Sequence, residues 1–426
     1  MTEGTPSQKT NTGLKVFWLA NLISSIGLGV FFVAFNWLTV KNYGAYGISM
    51  ITIAIAIPQT LLVLFGGLVS DSINKQTLFR LCQSLYAILG IAVFISCVDE
   101  VPPLWFLVLL NFVSGLIIAF YSPNRTSLIS SLVPESKITT TQQMFYFATG
   151  LGWLLGSILA AHLLSLHIAY FSNTHGALAF LFYTLAMIPA IFCAPRAINI
   201  QPHLISAKSI SSRLKTALSD IRSSLQYLRT TIEIRILMRM LAMVLILGMP
   251  FTHLLSIYAH DHQTVHQSSK FFSHLFAALS AGNLIGAFLG ILVTKSGLKQ
   301  ASLFVYMIFG FCLSATAALL MTQYWEIVAM ILLAGLFTSL STNLLKGLIQ
   351  SQSEEDMRGR IAGFTQLLAG LSTTSAGLAG FAVHHLANHE PSAYMAYETV
   401  QLALIGLLAA LTLLSLPSIL KSHIRI

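Results

Sequence analysis

Twelve apolar stretches, each long enough to cross a bilayer, recur along the 426-residue chain and restrict its fold more than any other feature. A transmembrane helix needs about 20 predominantly apolar residues. Charged residues make up 9% of the chain, whereas soluble domains carry roughly a quarter. We therefore predict an all-α integral membrane protein whose solvent is mostly lipid. The predicted spans are residues 15–39, 47–70, 78–97, 103–122, 140–165, 176–194, 237–258, 272–294, 301–321, 325–346, 361–384 and 397–416.

The basic residues predict how these spans are oriented. If the N-terminus is cytoplasmic, all of the 23 lysines and arginines except Lys41 and Lys270 fall on the cytoplasmic side. Cytoplasmic loops of membrane proteins carry an excess of Lys and Arg. We therefore predict an even number of spans, with both termini in the cytoplasm.

One long connection separates spans six and seven. Its apolar residues alternate in steps of four and three from Leu214 to Ile232, and arginines and lysines lie off this stripe. Such a pattern predicts a basic amphipathic helix along the membrane surface; a regulatory partner site is the alternative. The predicted domains are a six-helix bundle at 1–200, a cytoplasmic linker at 201–235 and a second six-helix bundle at 236–426.

The two halves repeat each other. Gly67 begins the segment that ends span two, and Gly290 begins a similar segment at the end of span eight, 223 residues later. Adding this offset to the first six spans places them within a few residues of the last six. Internal repeats of this kind are typical of transporters.

Short motifs at the ends of the spans resemble the major facilitator superfamily over essentially the whole chain. The family's signature motif in the loop between spans two and three is matched here by Gly67, Asp71 and Lys75. A second copy of this motif, after span eight, is matched by Gly290, Lys295 and Gly297. The stretch from Gln350 to Arg358 and Arg360, together with Tyr121 to Pro134, is similar to the enterobactin-exporter and macrolide-efflux branch. In this superfamily the acid of the first motif takes part in conformational switching. The resemblance thus implies a switch formed by Gly67, Asp71, Lys75, Gly290, Lys295, Gly297, Arg358 and Arg360. An i,i+4 pair between Asp71 and Lys75 is also expected.

The resemblance implies a fold of twelve helices in two pseudo-symmetric six-helix bundles, and a bacterial inner-membrane location. It implies a monomeric secondary transporter that exports a small amphipathic molecule, such as a siderophore or drug-like compound, by alternating access. A lysophospholipid flippase or a nutrient importer of the same fold is the alternative. Motifs for ATP binding or hydrolysis are absent from the sequence, so we expect neither an enzyme nor a cofactor, and no nucleic-acid partner.

Polar residues inside the spans are the candidates for substrate contact, because a polar group that faces lipid is costly. In this superfamily, spans one, four, seven and ten line the central pathway. For any one polar residue within a span, a hydrogen bond between helices is as good an explanation as contact with a substrate. The candidates are Asn21, Ser25, Asn111, Ser114, His253, Asn343 and Gln366.

Ionisable groups are scarce within the spans. All fourteen acids lie in loops, tails or near span ends, and no two carboxylates share one depth. His253 is therefore the candidate for coupling to protons, with helix packing as the alternative. Two groups of histidines outside the membrane have spacings that could bind a transition metal, but no cysteine or carboxylate completes either set, so we predict no metal site. These groups are His260, His262 and His266, and His384, His385 and His389.

Overall fold

The computed structural model describes residues 6–72, 74–165, 176–195, 226–262, 268–295, 300–390 and 392–421. Every regular element in these ranges is a helix. The first half contains α1 (Pro6–Ser72), α2 (Lys75–Asp99), α3 (Leu104–Ser130), α4 (Glu135–Ser165) and α5 (Ala177–Phe192). The second half contains α6 (Ile232–Met243), a π-helical turn (Val244–Gly248), α7 (Met249–His253), α8 (Leu255–Asp261), α9 (Ser268–Lys295), α10 (Gln300–Leu320), α11 (Tyr324–Gln352), α12 (Glu355–Ala387) and α13 (Ala393–Lys421).

Helix α1 contains the first two spans. It bends at Gly44, whose φ of 56° and ψ of −153° are not helical. A residue with a side chain rarely adopts a positive φ, so glycine suits this bend. The sequence predicted a loop between spans one and two, at residues 40–46. In the structure the turn is a single bent residue between two helical stretches.

The predicted twelve-helix membrane fold is confirmed. Ten helical stretches in the described residues are long and apolar enough to cross a membrane. The stretch Gly13–Leu62, at 50 residues, is long enough for two crossings, and the shorter apolar helix Ala177–Phe192 supplies the sixth span. Large apolar side chains such as Phe288 (62% exposed) and Leu414 (76% exposed) cover the outer surface, as expected where lipid replaces water.

Span seven is broken into several helical pieces. Regular α-helix gives way to the π-turn at Val244–Gly248, and Pro250 follows in α7. A second irregularity at Leu254 separates α7 from α8. The hydroxyl of Ser375 in α12 donates a 2.8 Å hydrogen bond to the Ile246 carbonyl within the π-turn. Neighbouring side chains commonly satisfy backbone groups that such breaks set free in membrane helices.

By its contacts, the chain divides into two compact units. The first comprises Met1–Leu38 and Leu61–Ala207, and the second comprises Thr39–Thr60 and Lys208–Ile426. The predicted domain boundaries at residues 200 and 235 stay predictions, and the predicted linker helix lies mainly outside the described residues, which resume with a helical segment at 226–230. The assignment of residues 39–60 to the second unit has a local cause: this part of α1 packs closely against α12.

Small residues allow that packing. A β-carbon added at Gly370 would lie 3.0 Å from Thr60 Cα, one at Gly377 would lie 3.3 Å from the Ile53 nitrogen, and one at Gly380 would lie 3.4 Å from Ser49 Cβ. The paired positions run in opposite directions along the two helices, which are therefore antiparallel. We call this contact the glycine seam. Helices in lipid associate largely through close packing of this kind.

Close packing also holds each unit together internally. In the first unit, Gly152 and Gly156 of α4 lie against Ser25 and Gly29 of α1. In the second, a β-carbon at Gly282 of α9 would lie 2.8 Å from the Leu336 nitrogen of α11. An aromatic cluster closes one end of the first unit, where the Phe17 ring packs 5.4 Å from Phe79 and 5.2 Å from Phe145 between centroids.

Candidate functional site

The first unit gathers polar groups from three helices at one place. Thr149 of α4 is their centre, and its Oγ1 accepts hydrogen bonds from Arg125 Nη2 of α3 at 2.7 Å and from Asn21 Nδ2 of α1 at 3.4 Å. The Asn21 side chain is 1% exposed. The structure thus links one predicted cavity residue, Asn21, directly to Thr149 and through it to Arg125, neither of which was among the candidates.

Two other candidates of this unit are satisfied locally. Ser25 is 3% exposed and donates to the Asn21 carbonyl at 2.7 Å, at the point where α1 meets Gly152. Asn111 is half-buried and donates to the Leu107 carbonyl of its own helix at 3.2 Å. Ser114, on the same helix, is 8% exposed. The geometry of Ser25 corresponds to the helix-packing alternative, and a substrate role for these three residues stays a prediction.

In the second unit the polar groups lie on α11 and α9. Asn343 is exposed and donates to Ser339 Oγ at 3.0 Å, and Ser339 in turn donates to the Asn283 carbonyl at 2.7 Å. His253 is half-buried at the end of α7, and Gln366 is exposed on α12. The structure does not gather these three candidates into one cluster by any hydrogen bond among the described residues.

The predicted switch residues lie at helix ends. Lys75 is the first residue of α2, which Asn74 caps by accepting from the Gln76 and Thr77 nitrogens. Asp71 lies on α1, which ends at Ser72, and Lys75 begins the next helix, so the expected pair between them stays a prediction. Gly67 is in α1, Gly290 and Lys295 are in α9, and Arg358 and Arg360 are in α12. Gly297 and the side chains of Asp71, Lys295, Arg358 and Arg360 lie outside the described part of the structure. Their switching role stays a prediction.

The external histidines are dispersed among aromatic rings and acids. His260 pairs with Asp261 at 2.6 Å, and His262 is 7% exposed between the rings of Tyr258 and Tyr394, at centroid distances of 5.3 and 5.4 Å. Within the described ranges, no three His, Cys, Asp or Glu side chains come together as a metal site. His266 lies outside these ranges.

Burial lowers the pKa of the His262 imidazole below its usual value, because a desolvated site disfavours the charged ring. The unfolded state therefore binds more protons below about pH 6.5. We expect the melting temperature of the purified protein to be insensitive to this group above that pH and to fall as the pH is lowered further. Scanning fluorimetry from pH 8 to pH 5 measures the effect.

Matched variants assign that acid sensitivity. Tyr258 and Tyr394 stay neutral in this pH range, and the nearby acids are Asp261, which pairs with His260, and Glu398, which interacts with Tyr394. His262→Phe should reduce the acid-induced drop, whereas His389→Phe, at an exposed histidine, should leave it unchanged. If the melting temperature of His262→Phe still falls as much on acidification, and that of Glu398→Gln does not fall, the assignment to His262 is contradicted.

Comparison with known proteins identifies the family of the chain. The family model described as Major Facilitator Superfamily matches residues 17–377. The chain belongs to the major facilitator superfamily. No curated protein sequence matches it significantly. Members of this superfamily are transporters, and this chain is a multi-pass membrane protein of that transporter family.

Solved structures share the fold at low sequence identity. A bacterial homologue of the human lysosomal transporter Spinster, in an inward-facing and occupied conformation, has a TM-score of 0.75 at 12% identity, with 99% of each chain covered. The nucleoside transporter NupG has a TM-score of 0.69 at 12% identity, and the match covers 96% of this chain and 100% of the NupG chain. A structure of proton-dependent oligopeptide transporters has a TM-score of 0.69 at 14% identity, with 97% and 99% covered.

Proposed function

We propose that this protein exports a small amphipathic molecule, such as a siderophore or drug-like compound, across the bacterial inner membrane by alternating access. The observation that carries the proposal is the set of polar side chains that both units keep on pathway helices inside otherwise apolar bundles. Asn21 lies on α1, Arg125 lies near the end of α3 beyond span four, and Ser339 and Asn343 lie on α11. Burying such groups is costly, so they favour a solvated or substrate-binding pathway.

The glycine seam supplies a contact that can open and close. Three glycines of α12 there pack closely against Ser49, Ile53 and Thr60 of α1. We propose that residues 39–60 of α1 part from α12 during each cycle, with both termini in the cytoplasm. Alternating access in transporters with two repeats proceeds by rocking of one part against another around a central site.

Protons are the proposed coupling ion, and His253 is the proposed proton carrier. The test is uptake of a panel of siderophores into proteoliposomes, with and without an imposed pH gradient. We expect the gradient to drive accumulation and His253→Ala to abolish the gradient effect. His389→Ala, at an exposed histidine, is the matched control and should transport like the parent protein. Equilibration without any response to the gradient would contradict proton coupling, and an importer would respond to the opposite gradient.

A further inference from the structure

Arg125 has unused hydrogen-bonding capacity inside the first unit. Its Nη2 donates to Thr149 Oγ1 at 2.7 Å and to the Phe145 carbonyl at 3.3 Å. Its Nε is buried and has no hydrogen-bond partner. A guanidinium carries five N–H donors in a planar fork that matches the two oxygens of a carboxylate or phosphate. These contacts hold the guanidinium in place and leave its Nε donor without a partner.

Among the described residues, no acid forms an ion pair with this cation. In the described part of the chain the recorded ion pair is His260–Asp261, which lies in the second unit, and Arg125 makes none. A partly buried charge without a counter-ion is unfavourable, and proteins ordinarily pair such groups. The missing negative charge is what a bound anion would supply.

The surroundings of Arg125 suit an aromatic anion. The ring of Tyr146 lies 5.9 Å from Arg125 Cζ, and this tyrosine is 59% exposed. Trp18 of α1 contacts the same stretch of α4, because its indole nitrogen donates to the Met144 carbonyl at 3.0 Å. Thr149 and the buried Asn21 complete the polar side. A flat apolar surface thus adjoins an unpaired cation.

The second unit repeats the charge. With the repeat offset of 223 residues, Lys346 at the end of span ten corresponds to residue 123, just past the end of span four and two residues from Arg125. Lys346 is half-buried and forms no ion pair with any described acid. The spans contain no carboxylate except near their ends, at Glu326 and Glu398. Each unit therefore has a cation without a recorded ion pair, Arg125 in the first and Lys346 in the second, and this favours an anionic substrate over a cationic one.

We propose that Arg125, held by Thr149 and flanked by Asn21 and Tyr146, is an anion subsite that binds the carboxylate or phosphate of an aromatic organic anion. The proposal rests on the proposed transport function and narrows its substrate class. The guanidinium fork pairs with the anionic group, and the Tyr146 ring contacts the apolar part.

The test compares two probes of the same shape on the purified full-length protein. Binding of 1-naphthoate and of its neutral analogue 1-naphthamide is measured by isothermal titration calorimetry in detergent. We expect the carboxylate to bind at least about tenfold more tightly, because charge-assisted hydrogen bonds are markedly stronger than neutral ones. Equal affinity of the two probes overturns the proposal without any variant.

Variants test whether Arg125 causes the preference for 1-naphthoate over 1-naphthamide. Arg125→Gln should bring the two affinities together while 1-naphthamide binding persists, and Arg125→Lys should keep part of the preference because it retains charge but loses the fork. Arg80→Gln, at an exposed arginine of the same unit, should keep all of it. If Arg125→Gln does not fold, Thr149→Val replaces it and should weaken the preference. An undiminished preference in whichever of these two variants folds overturns the proposal.

Two further experiments are needed. One distinguishes binding of a soluble ligand from binding of lipid, and the other tests this proposal independently of the transport function. If Arg125 only anchors lipid, phosphatidylglycerol in mixed micelles will abolish 1-naphthoate binding where phosphatidylcholine does not, and the substrate subsite is overturned. Uptake into proteoliposomes is measured on the same preparations. A preference for the anion without uptake supports the subsite and contradicts the transport function. Uptake without that preference supports the transport function and contradicts the subsite.

Discussion

Oxidation of a Ser49→Cys/Gly380→Cys double variant is expected to stop transport almost completely, and a reducing agent is expected to restore it. The β-carbons at these positions would lie 3.4 Å apart, close to the roughly 3.5–4.5 Å that disulfides span. A bond there would fix residues 39–60 against α12. If the glycine seam must open in every cycle, the oxidised protein is held in one state. Uptake into proteoliposomes before and after reduction measures the effect.

The background for this experiment should lack the four native cysteines, of which Cys82, Cys97 and Cys312 are buried. The single variants Ser49→Cys and Gly380→Cys, treated with the same oxidant, control for side reactions and for the added side chains. Full transport by protein shown to be crosslinked would mean that the seam stays closed throughout the cycle, and alternating access by this route would then be wrong.

Replacing Gly156 by leucine is expected to destabilise the first unit by about 3 kcal/mol or more, because overpacking against a backbone leaves few ways to relax. A β-carbon at Gly156 would lie 2.9 Å from Gly29 Cα and 3.0 Å from the Val30 nitrogen of α1. Both contacts are to main-chain atoms, so the helices themselves would have to move apart. Denaturant unfolding in detergent measures the free-energy change.

Gly406→Leu is the matched control for that variant. Nothing lies within 4 Å of a β-carbon built at Gly406, and both positions are helical, so each leucine gains the same intrinsic helix propensity. The control should unfold like the parent protein or slightly later. Equal destabilisation of the two variants would show that leucine is harmful for a reason other than the contact between α1 and α4.

Much of the fold could be predicted because lipid imposes it. The length and spacing of the apolar stretches required helices, and the positions of lysines and arginines predicted an orientation. The helical ends were less accurate: α11 continues to Gln352 and α12 starts at Glu355, whereas the predicted spans covered only the apolar part. A helix that leaves the bilayer keeps its internal hydrogen bonds, so hydropathy alone does not mark its end.

The candidate site was less predictable, because its members come together from distant parts of the chain. Arg125 stood in a motif that resembled the family, and its charge was interpreted only as an orientation signal. Its hydrogen-bond partners Phe145 and Thr149 lie 20 and 24 residues further along, on a different helix. No spacing rule within one helix connects them. Ser25, in contrast, was a candidate because it is a polar residue within a span. Only the structure shows that it lies against Gly152 of α4.

The π-turn at Val244–Gly248 has a consequence for how the two halves can be aligned. A π-turn accommodates one residue more than the α-helical turn it replaces. Side chains beyond it are rotated by about 100° relative to an uninterrupted helix. Span one, its counterpart in the first half, is regular α-helix up to the bend at Gly44. A structural alignment of the two halves should therefore require a one-residue gap in the first half opposite residues 244–248.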